Sequence, residues 1–120
     1  MTPAARSVHL FGNYLLVLAV VLLVAPNPLL GLFGLATTTE VWIRVVAMLV
    51  AFIGIYYRTA AAANLTPFFL ATVLVRSSVP VFFLGFVLAG WVGWPLLLFG
   101  VIDAAGALWT WKALQHSTAE

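Results

Sequence analysis

Two opposite charges inside long apolar segments are the residues best suited to chemistry. Asp103 lies in the run that starts at Pro95, and Arg76 lies in the run that starts at Pro67. A charge at the centre of a bilayer costs roughly 2.5–3.5 kcal/mol on insertion scales, so each side chain must face protein or water. The pattern predicts a buried Asp–Arg centre, which is either a structural clasp or a ligand-binding or proton site.

The sequence leaves open which arginine pairs with Asp103. Arg76 is the first candidate, Arg44 in the preceding run is the rival, and an unpaired, protonated carboxyl is the third possibility. Helical side chains lean toward their own N-terminus, so Arg76 and Asp103 would lean apart in antiparallel helices. Polar and small residues are expected to support this centre by hydrogen bonding or by close helix approach. They are Thr72, Ser77, Gly100, Gly106 and Thr110.

The composition indicates whether the protein that holds these charges is surrounded by water or by lipid. The chain has 120 residues, of which 65% are hydrophobic and 7% are charged, whereas soluble domains carry about 25% charged residues. The composition therefore predicts an integral membrane protein and excludes a water-soluble globule. The net charge of +2 gives no reason to expect nucleic acid. The absence of cysteine excludes thiolate metal sites, no metal or phosphate-binding motif is present, and the cofactor stays unknown.

Four apolar runs each have about the 20 residues that a membrane-spanning helix requires. They predict one all-α domain over residues 1–120, an integral membrane four-helix up-down bundle with helices at about 8–25, 41–61, 67–89 and 95–114. The third helix is expected to bend by more than 20° at Pro80, which cannot donate a hydrogen bond to the Arg76 carbonyl. Residues 37–40 predict a capping box for the second helix, and Thr66 predicts the N-cap of the third.

Two segments near the start of the chain have alternative interpretations. The first run could be a signal peptide, but Pro26 is a poor context for cleavage and a retained helix is favoured. Residues 26–39 are apolar and uncharged, which is unusual for a connection in water. This connection either rests in the membrane interface or forms a lid over a lipid-facing cavity.

Basic residues indicate the orientation of the helices. Arg6, Arg58 and Lys112 fall on one side, whereas Arg44 is the basic residue on the other. The positive-inside rule then predicts a multi-pass protein of the bacterial inner membrane with both termini in the cytoplasm. Four residues are expected to anchor the helices at the inner interface. They are Arg58, Tyr56, Tyr57 and Trp109.

Short motifs are spread along most of the chain. They are Asn27-Pro28 with Leu29-Leu30-Gly31, Trp42-Ile43-Arg44, Gly54-Ile55-Tyr56-Tyr57, Arg76, and Asp103 with Gly106-Ala107-Leu108-Trp109-Thr110. In this order they resemble small bacterial four-helix membrane proteins of the DoxX-like kind. The resemblance implies a four-helix bundle and specifies no activity.

Three classes of function are consistent with these residues. The first is a protein that binds a lipophilic or lipid-like small molecule, or a membrane-protein partner, next to the Asp–Arg centre. The second is a homo-oligomeric proton-coupled transporter in which Asp103 carries the proton. The third, a membrane enzyme, ranks last because no nucleophile or metal ligand accompanies the charged pair. Membrane lipid is the partner common to all three.

The distribution of basic residues yields a topology prediction. Both ends of the chain should lie in the cytoplasm, because Arg6, Arg58 and Lys112 occur on that side. Reporter fusions at the N- and C-termini would measure this directly. A C-terminal fusion that is active only in the periplasm would contradict the assignment.

Overall fold

The chain folds into five helices, and four of them are long. The computed structural model describes residues 1–119, with side chains for residues 1–116. The helices are α1 (Pro3–Val24), α2 (Pro26–Leu32), α3 (Trp42–Ala62), α4 (Thr66–Leu88) and α5 (Leu96–Ala119). No strand occurs over residues 1–119, so the all-helical prediction is confirmed. The four long helices are long and apolar enough to cross a membrane.

The helix count and the limits of the first and last helices differ from the prediction. The short α2 was not predicted, because its seven residues give too little pattern to recognise. α1 begins at Pro3 rather than near residue 8, since the Thr2 hydroxyl accepts a hydrogen bond from the Ala5 N–H at 3.1 Å. α5 continues to Ala119 and so extends beyond the predicted end near residue 114.

Both predicted caps are wrong in detail. α3 begins at Trp42 after Val41, which makes no side-chain cap hydrogen bond. The Thr38 hydroxyl instead accepts from the Glu40 N–H at 3.0 Å, one turn before the helix. Thr66 is already the first residue of α4, so its side chain is too late in the chain to act as the N-cap.

The four long helices contact one another unequally. α1 packs most extensively against α3, α4 packs mainly against α5, and α1 joins these two pairs through α5. The backbones of α3 and α4 share little contact although the helices are consecutive in sequence. α1 is therefore the central helix, and its side chains have access to most of the interior.

One end of the helix assembly is tightly packed, and we call it the closed end. The Thr2 hydroxyl donates to the Asn64 side-chain oxygen at 3.0 Å, which joins the start of α1 to the α3–α4 turn. Many of the buried residues here are alanines, which let the helix backbones approach closely. The buried cluster consists of Ala4, Ala5, Val8, Phe11, Leu15, Tyr57, Ala60, Ala61, Phe69, Ala113 and Leu114.

Two close helix contacts depend on glycine. A Cβ added at Gly54 would lie 3.0 Å from the Gly12 carbonyl oxygen, so these two glycines set the spacing of α1 and α3. A Cβ at Gly100 would lie 3.0 Å from the Pro80 Cα, where α5 meets α4. Pro80 lies within α4, which continues as one helix through it, and the bend expected there stays a prediction.

The outer surface of the assembly is strongly apolar. On α4 the exposed fractions of Leu74, Val81 and Leu88 are 75%, 70% and 78%. Soluble proteins rarely expose continuous apolar surface on this scale. The long helices therefore present side chains suited to contact with lipid.

The Gly54 contact yields a stability prediction. Gly54→Ala should destabilise the protein by about 1–3 kcal/mol, since the added methyl meets backbone of α1 that cannot move freely. Gly85→Ala is the matched control, because no atom lies within 4 Å of the position of its Cβ. That control should be neutral or stabilising, as alanine favours helix by up to about 1 kcal/mol. Thermal unfolding in detergent would measure both, and equal effects would contradict the proposed packing.

Candidate functional site

Arg76 is the most deeply buried charged side chain among the residues that the structure describes, with an exposed fraction of 2%. Its Nε donates to the Thr72 carbonyl at 3.3 Å, and its Nη2 donates to the Thr72 hydroxyl at 3.0 Å. Nη2 also donates to the Thr110 hydroxyl on α5 at 2.8 Å. The guanidinium thus ties α4 to α5 through neutral oxygen acceptors.

Two aromatic rings cover the guanidinium. Its central carbon lies 4.7 Å from the ring centre of Phe11 on α1 and 5.5 Å from that of Tyr57 on α3. A desolvated cation–π contact contributes about 2 kcal/mol or more. Tyr57 also meets Phe68 of α4 edge to face at 5.6 Å. Residues from all four long helices therefore surround one cation.

The hydrogen bonds beyond Arg76 continue in a consistent direction. Ser7 donates to the Ala4 carbonyl at 2.7 Å, and its oxygen lies 2.7 Å from the Thr110 hydroxyl. Since Ser7 uses its one hydrogen on Ala4, Thr110 donates to Ser7 and keeps a lone pair for Arg76. This arrangement links α5 to α1, and the Ser7 and Thr110 hydroxyls each both donate and accept a hydrogen bond.

Gly106 makes room for the guanidinium on α5. A Cβ at this position would lie 3.0 Å from Arg76 Nη1 and 2.7 Å from two ring carbons of Phe11. Nη1 is buried and has no hydrogen-bond partner. A glycine is thus required here for packing, as the side chain of Arg76 occupies the space that any other residue would need.

The expected ion pair between Asp103 and an arginine is not formed within the described part of the chain. Arg76 reaches Thr72 and Thr110 instead, and Arg44 donates its Nε to the Leu23 carbonyl at 3.0 Å. The cause is the lean of helical side chains toward their own N-termini. Arg76 leans toward Thr72 at the closed end, whereas Asp103 leans toward the opposite end, where α5 begins.

Asp103 nevertheless lies near Arg76 along the axis of α5. It lies three residues before Gly106, against which Arg76 Nη1 is packed, and three residues correspond to roughly 4.5 Å along a helix axis. The carboxyl group is partly buried. The predicted Asp–Arg centre is therefore a pair of neighbouring but separate groups, and the carboxylate stays available on the side away from the arginine.

Asp103 lines an apolar cavity of about 280 Å³ at the end opposite the closed end. The walls come from α1, α3, α4 and α5, and Asp103 is the one charged side chain among the lining residues. Tyr14 also lines the cavity and is electrostatically coupled to Asp103. The remaining lining residues are Leu15, Leu18, Leu22, Leu29, Leu30, Leu35, Ile43, Val46, Val50, Phe83, Leu96 and Phe99.

Residues 26–41 fold over this end, and we call them the cover. Asn27 donates to the Thr38 carbonyl at 3.0 Å and accepts from the Thr38 N–H at 2.9 Å, which closes the cover on itself. Phe33 packs on Phe99 of α5 with ring centres 4.6 Å apart. Gly34, with φ of 68°, turns the chain after α2 in a conformation that glycine adopts readily. The cover thus contributes three leucines to the cavity lining, and its role as a lid stays a prediction.

No family model, curated protein or solved structure matches this chain. The DoxX-like resemblance therefore stays a prediction, and the functional interpretation depends on the site itself. Among the described residues, no group of three His, Asp or Glu side chains could hold a metal ion.

The remaining predicted residues divide between the centre and the surface. Thr72, Gly106 and Thr110 contact Arg76 directly, as described above. Ser77 is exposed and bonds only the Val73 carbonyl of its own helix, at 2.6 Å. Gly100 serves the contact with Pro80 rather than the polar centre.

The predicted interfacial anchors also divide. Tyr57 is buried, with an exposed fraction of 6%, and it faces Arg76, so its assignment as an anchor is wrong. Tyr56, Arg58 and Trp109 are exposed, as an interfacial role requires. Arg44 is exposed beside the cover and does not reach Asp103.

The sequence interpretation missed the contribution of α1. Ser7, Phe11 and Tyr14 bring the hydroxyl and rings that complete the polar centre and the cavity floor. Their spacing of three and four residues places them on one helix face, which is a detectable signal. Because α1 carries apolar residues on every face, this spacing does not stand out in the sequence.

The surroundings of Arg76 generate a prediction that separates charge from packing. Arg76→Lys should destabilise the protein by about 1–3 kcal/mol, because lysine keeps a buried charge but cannot span Thr72, Thr110 and both rings. Arg76→Met should be better tolerated, since it removes the charge and both threonine hydroxyls keep other acceptors. Thermal unfolding in detergent would compare the two. A methionine variant less stable than the lysine variant would show that the cation itself is essential to folding.

Proposed function

We propose that this chain is a bacterial inner-membrane protein whose four long helices span the bilayer as an up-down bundle. The apolar exterior of α4 and the length of the four helices support insertion in lipid. Arg6, Arg58 and Lys112 are all exposed, which supports cytoplasmic placement of both termini.

Within that frame, we propose that the protein binds one lipophilic small molecule in the apolar cavity beneath the cover. The observation that carries the proposal is the combination of an aliphatic and aromatic lining with one carboxylate at its inner end. Small-molecule sites have this composition, in which a few polar groups orient a ligand held by apolar walls. The volume of about 280 Å³ is near the lower limit for such sites and fits a ligand of one or two rings or a short branched chain.

The polar end of the cavity indicates the ligand's functional group. A carboxylate accepts hydrogen bonds, and the Tyr14 hydroxyl beside it can donate or accept. The complementary ligand carries a hydroxyl or amino group that donates to Asp103. Arg76 lies beside this polar end, because its Nη1 packs against Gly106, three residues after Asp103.

The cavity yields a direct binding prediction. Leu18→Trp should occlude the cavity, because Leu18 lines it and indole is larger by several carbon atoms. Leu10→Trp, on the exposed face of the same helix, is the matched control. Mass spectrometry of small molecules that co-purify in mild detergent should show a species with the wild type and the control but not with Leu18→Trp. A species retained equally by all three proteins would contradict the cavity as its site.

Asp103 provides the second test of the proposal. Asp103→Asn keeps the volume but weakens the acceptor, so affinity for the co-purified ligand should fall by at least about tenfold, as loss of one charged hydrogen bond is worth about 1.5–3 kcal/mol. A derivative of that ligand without its hydroxyl or amino group should bind both proteins equally. Unchanged affinity for the complete ligand would show that Asp103 does not contact it.

A further inference from the structure

A second concave surface lies outside the helix assembly, between α1 and α3. We call it the α1–α3 groove. Its volume is about 540 Å³ and its walls are apolar, with Leu16, Ala51 and Phe52 at one end. Val41 and Arg44 lie at the other end. This groove shares no lining residue with the cavity that contains Asp103.

A pocket of about 360 Å³ adjoins the groove at its Arg44 end, and we call it the polar pocket after its polar lining residues Asn27, Thr38, Thr39 and Arg44. The rest of its lining is apolar and consists of Val24, Ala25, Pro26 and Pro28. Arg44 is the one residue that lines both the polar pocket and the groove. The molecule therefore presents a polar recess with a cation at its rim, continued by a long apolar trough.

Arg44 is free to bind an anion. Its Nε donates to the Leu23 carbonyl at 3.0 Å, which holds the side chain at the rim. Within the described part of the chain, no carboxylate forms a salt bridge with it, although Glu40 lies four residues earlier. Four further N–H donors on its terminal nitrogens stay available, and their planar arrangement matches the oxygens of a phosphate group.

The length of the groove matches one leaflet of a bilayer. From Arg44 to Phe52 it follows about 12 Å of helix at roughly 1.5 Å per residue, and half of a hydrocarbon core is about 15 Å. An acyl chain that starts at Arg44 would therefore end near the middle of the membrane. When the groove lies within the hydrocarbon core of the bilayer, the Arg44 guanidinium lies at the depth of the lipid phosphates.

We propose that the polar pocket and the α1–α3 groove together bind one anionic phospholipid, whose phosphate contacts Arg44 and whose acyl chain occupies the groove. The site rests on membrane insertion of the helices and is independent of the cavity ligand. Positive charge without a protein counterion selects an anionic headgroup over a zwitterionic one. The lipid would brace the cover against α3, since its headgroup contacts both Arg44 and the cover threonines.

Native mass spectrometry in detergent micelles can test the site with defined probes. Phosphatidylglycerol and phosphatidylcholine with identical acyl chains would be titrated separately into the full-length protein. The wild type should bind phosphatidylglycerol about tenfold more tightly than Arg44→Gln does, which is the effect of losing one charge-assisted hydrogen bond to the phosphate. Arg58→Gln, which removes an exposed arginine near the other end of α3, is the matched control and should bind as the wild type does.

A second variant tests the groove without changing charge. Ala51→Trp should obstruct the acyl chain and weaken phosphatidylglycerol binding, whereas Leu49→Trp on an exposed face of α3 should not. Leu18→Trp, which fills the cavity, should bind phosphatidylglycerol normally. The test of the lipid site therefore still applies if the cavity is shown to bind no ligand.

Three results would overturn the lipid site. Equal phosphatidylglycerol binding by wild type and Arg44→Gln would remove the role of the cation. Equal binding of phosphatidylcholine and phosphatidylglycerol would remove the headgroup preference. Displacement of phosphatidylglycerol by an equal concentration of inorganic phosphate would identify a free anion, rather than a lipid, as the ligand.

Discussion

The burial of one guanidinium without a carboxylate partner is the constraint on which the arrangement of the helices depends. Removing a charge from water costs several kcal/mol, and only specific contacts can offset that cost. Arg76 obtains them from hydroxyl and carbonyl oxygens and from two ring faces. Because these groups belong to four different helices, displacement of any one helix would remove a contact that the buried cation needs. The polar centre therefore specifies how the helices are arranged, which non-directional apolar contacts alone cannot do.

The same constraint separates the carboxylate from the arginine. If Asp103 paired with Arg76 directly, the two charges would neutralise each other inside the protein. The cavity would then have only apolar walls. The opposite lean of side chains on antiparallel helices prevents this pairing, and Gly106 lets the guanidinium occupy the intervening space. A carboxylate held near a cation, but facing the other way, is a suitable acceptor for a ligand. The electrostatic support of Arg76 and the exposure of Asp103 to the cavity are thus parts of one arrangement.

Sequence reasoning identified the helices better than it identified their inward faces. Length and hydropathy are sufficient to find four long helices, because a bilayer imposes both. They do not show which way Tyr57 points, because a helix that is apolar on all sides has no polar face to indicate the exterior. Tyr57 was therefore expected at the interface, yet it covers Arg76. Thr72, Gly106 and Thr110 do contact Arg76, because a buried charge restricts its neighbours to small or hydrogen-bonding residues. The short α2 and the cap at Thr2 depend on local hydrogen bonds that periodicity does not reveal.

The position of the cavity follows from a gradient of side-chain size along the helices. At the closed end, residues such as Ala4, Ala60 and Ala113 are buried and let the backbones approach closely. Toward the cover, leucine and valine side chains line the cavity between the helices. Larger side chains could have filled that space had they pointed across it, but the cover closes it instead with Leu29, Leu30 and Leu35. The cover folds back on itself through Asn27 and Thr38 and contacts α5 through Phe33, so its hydrogen bonds are separate from those of the closed end. Under the proposed binding function, this separation would let a ligand enter and leave beneath the cover while the polar centre stays assembled.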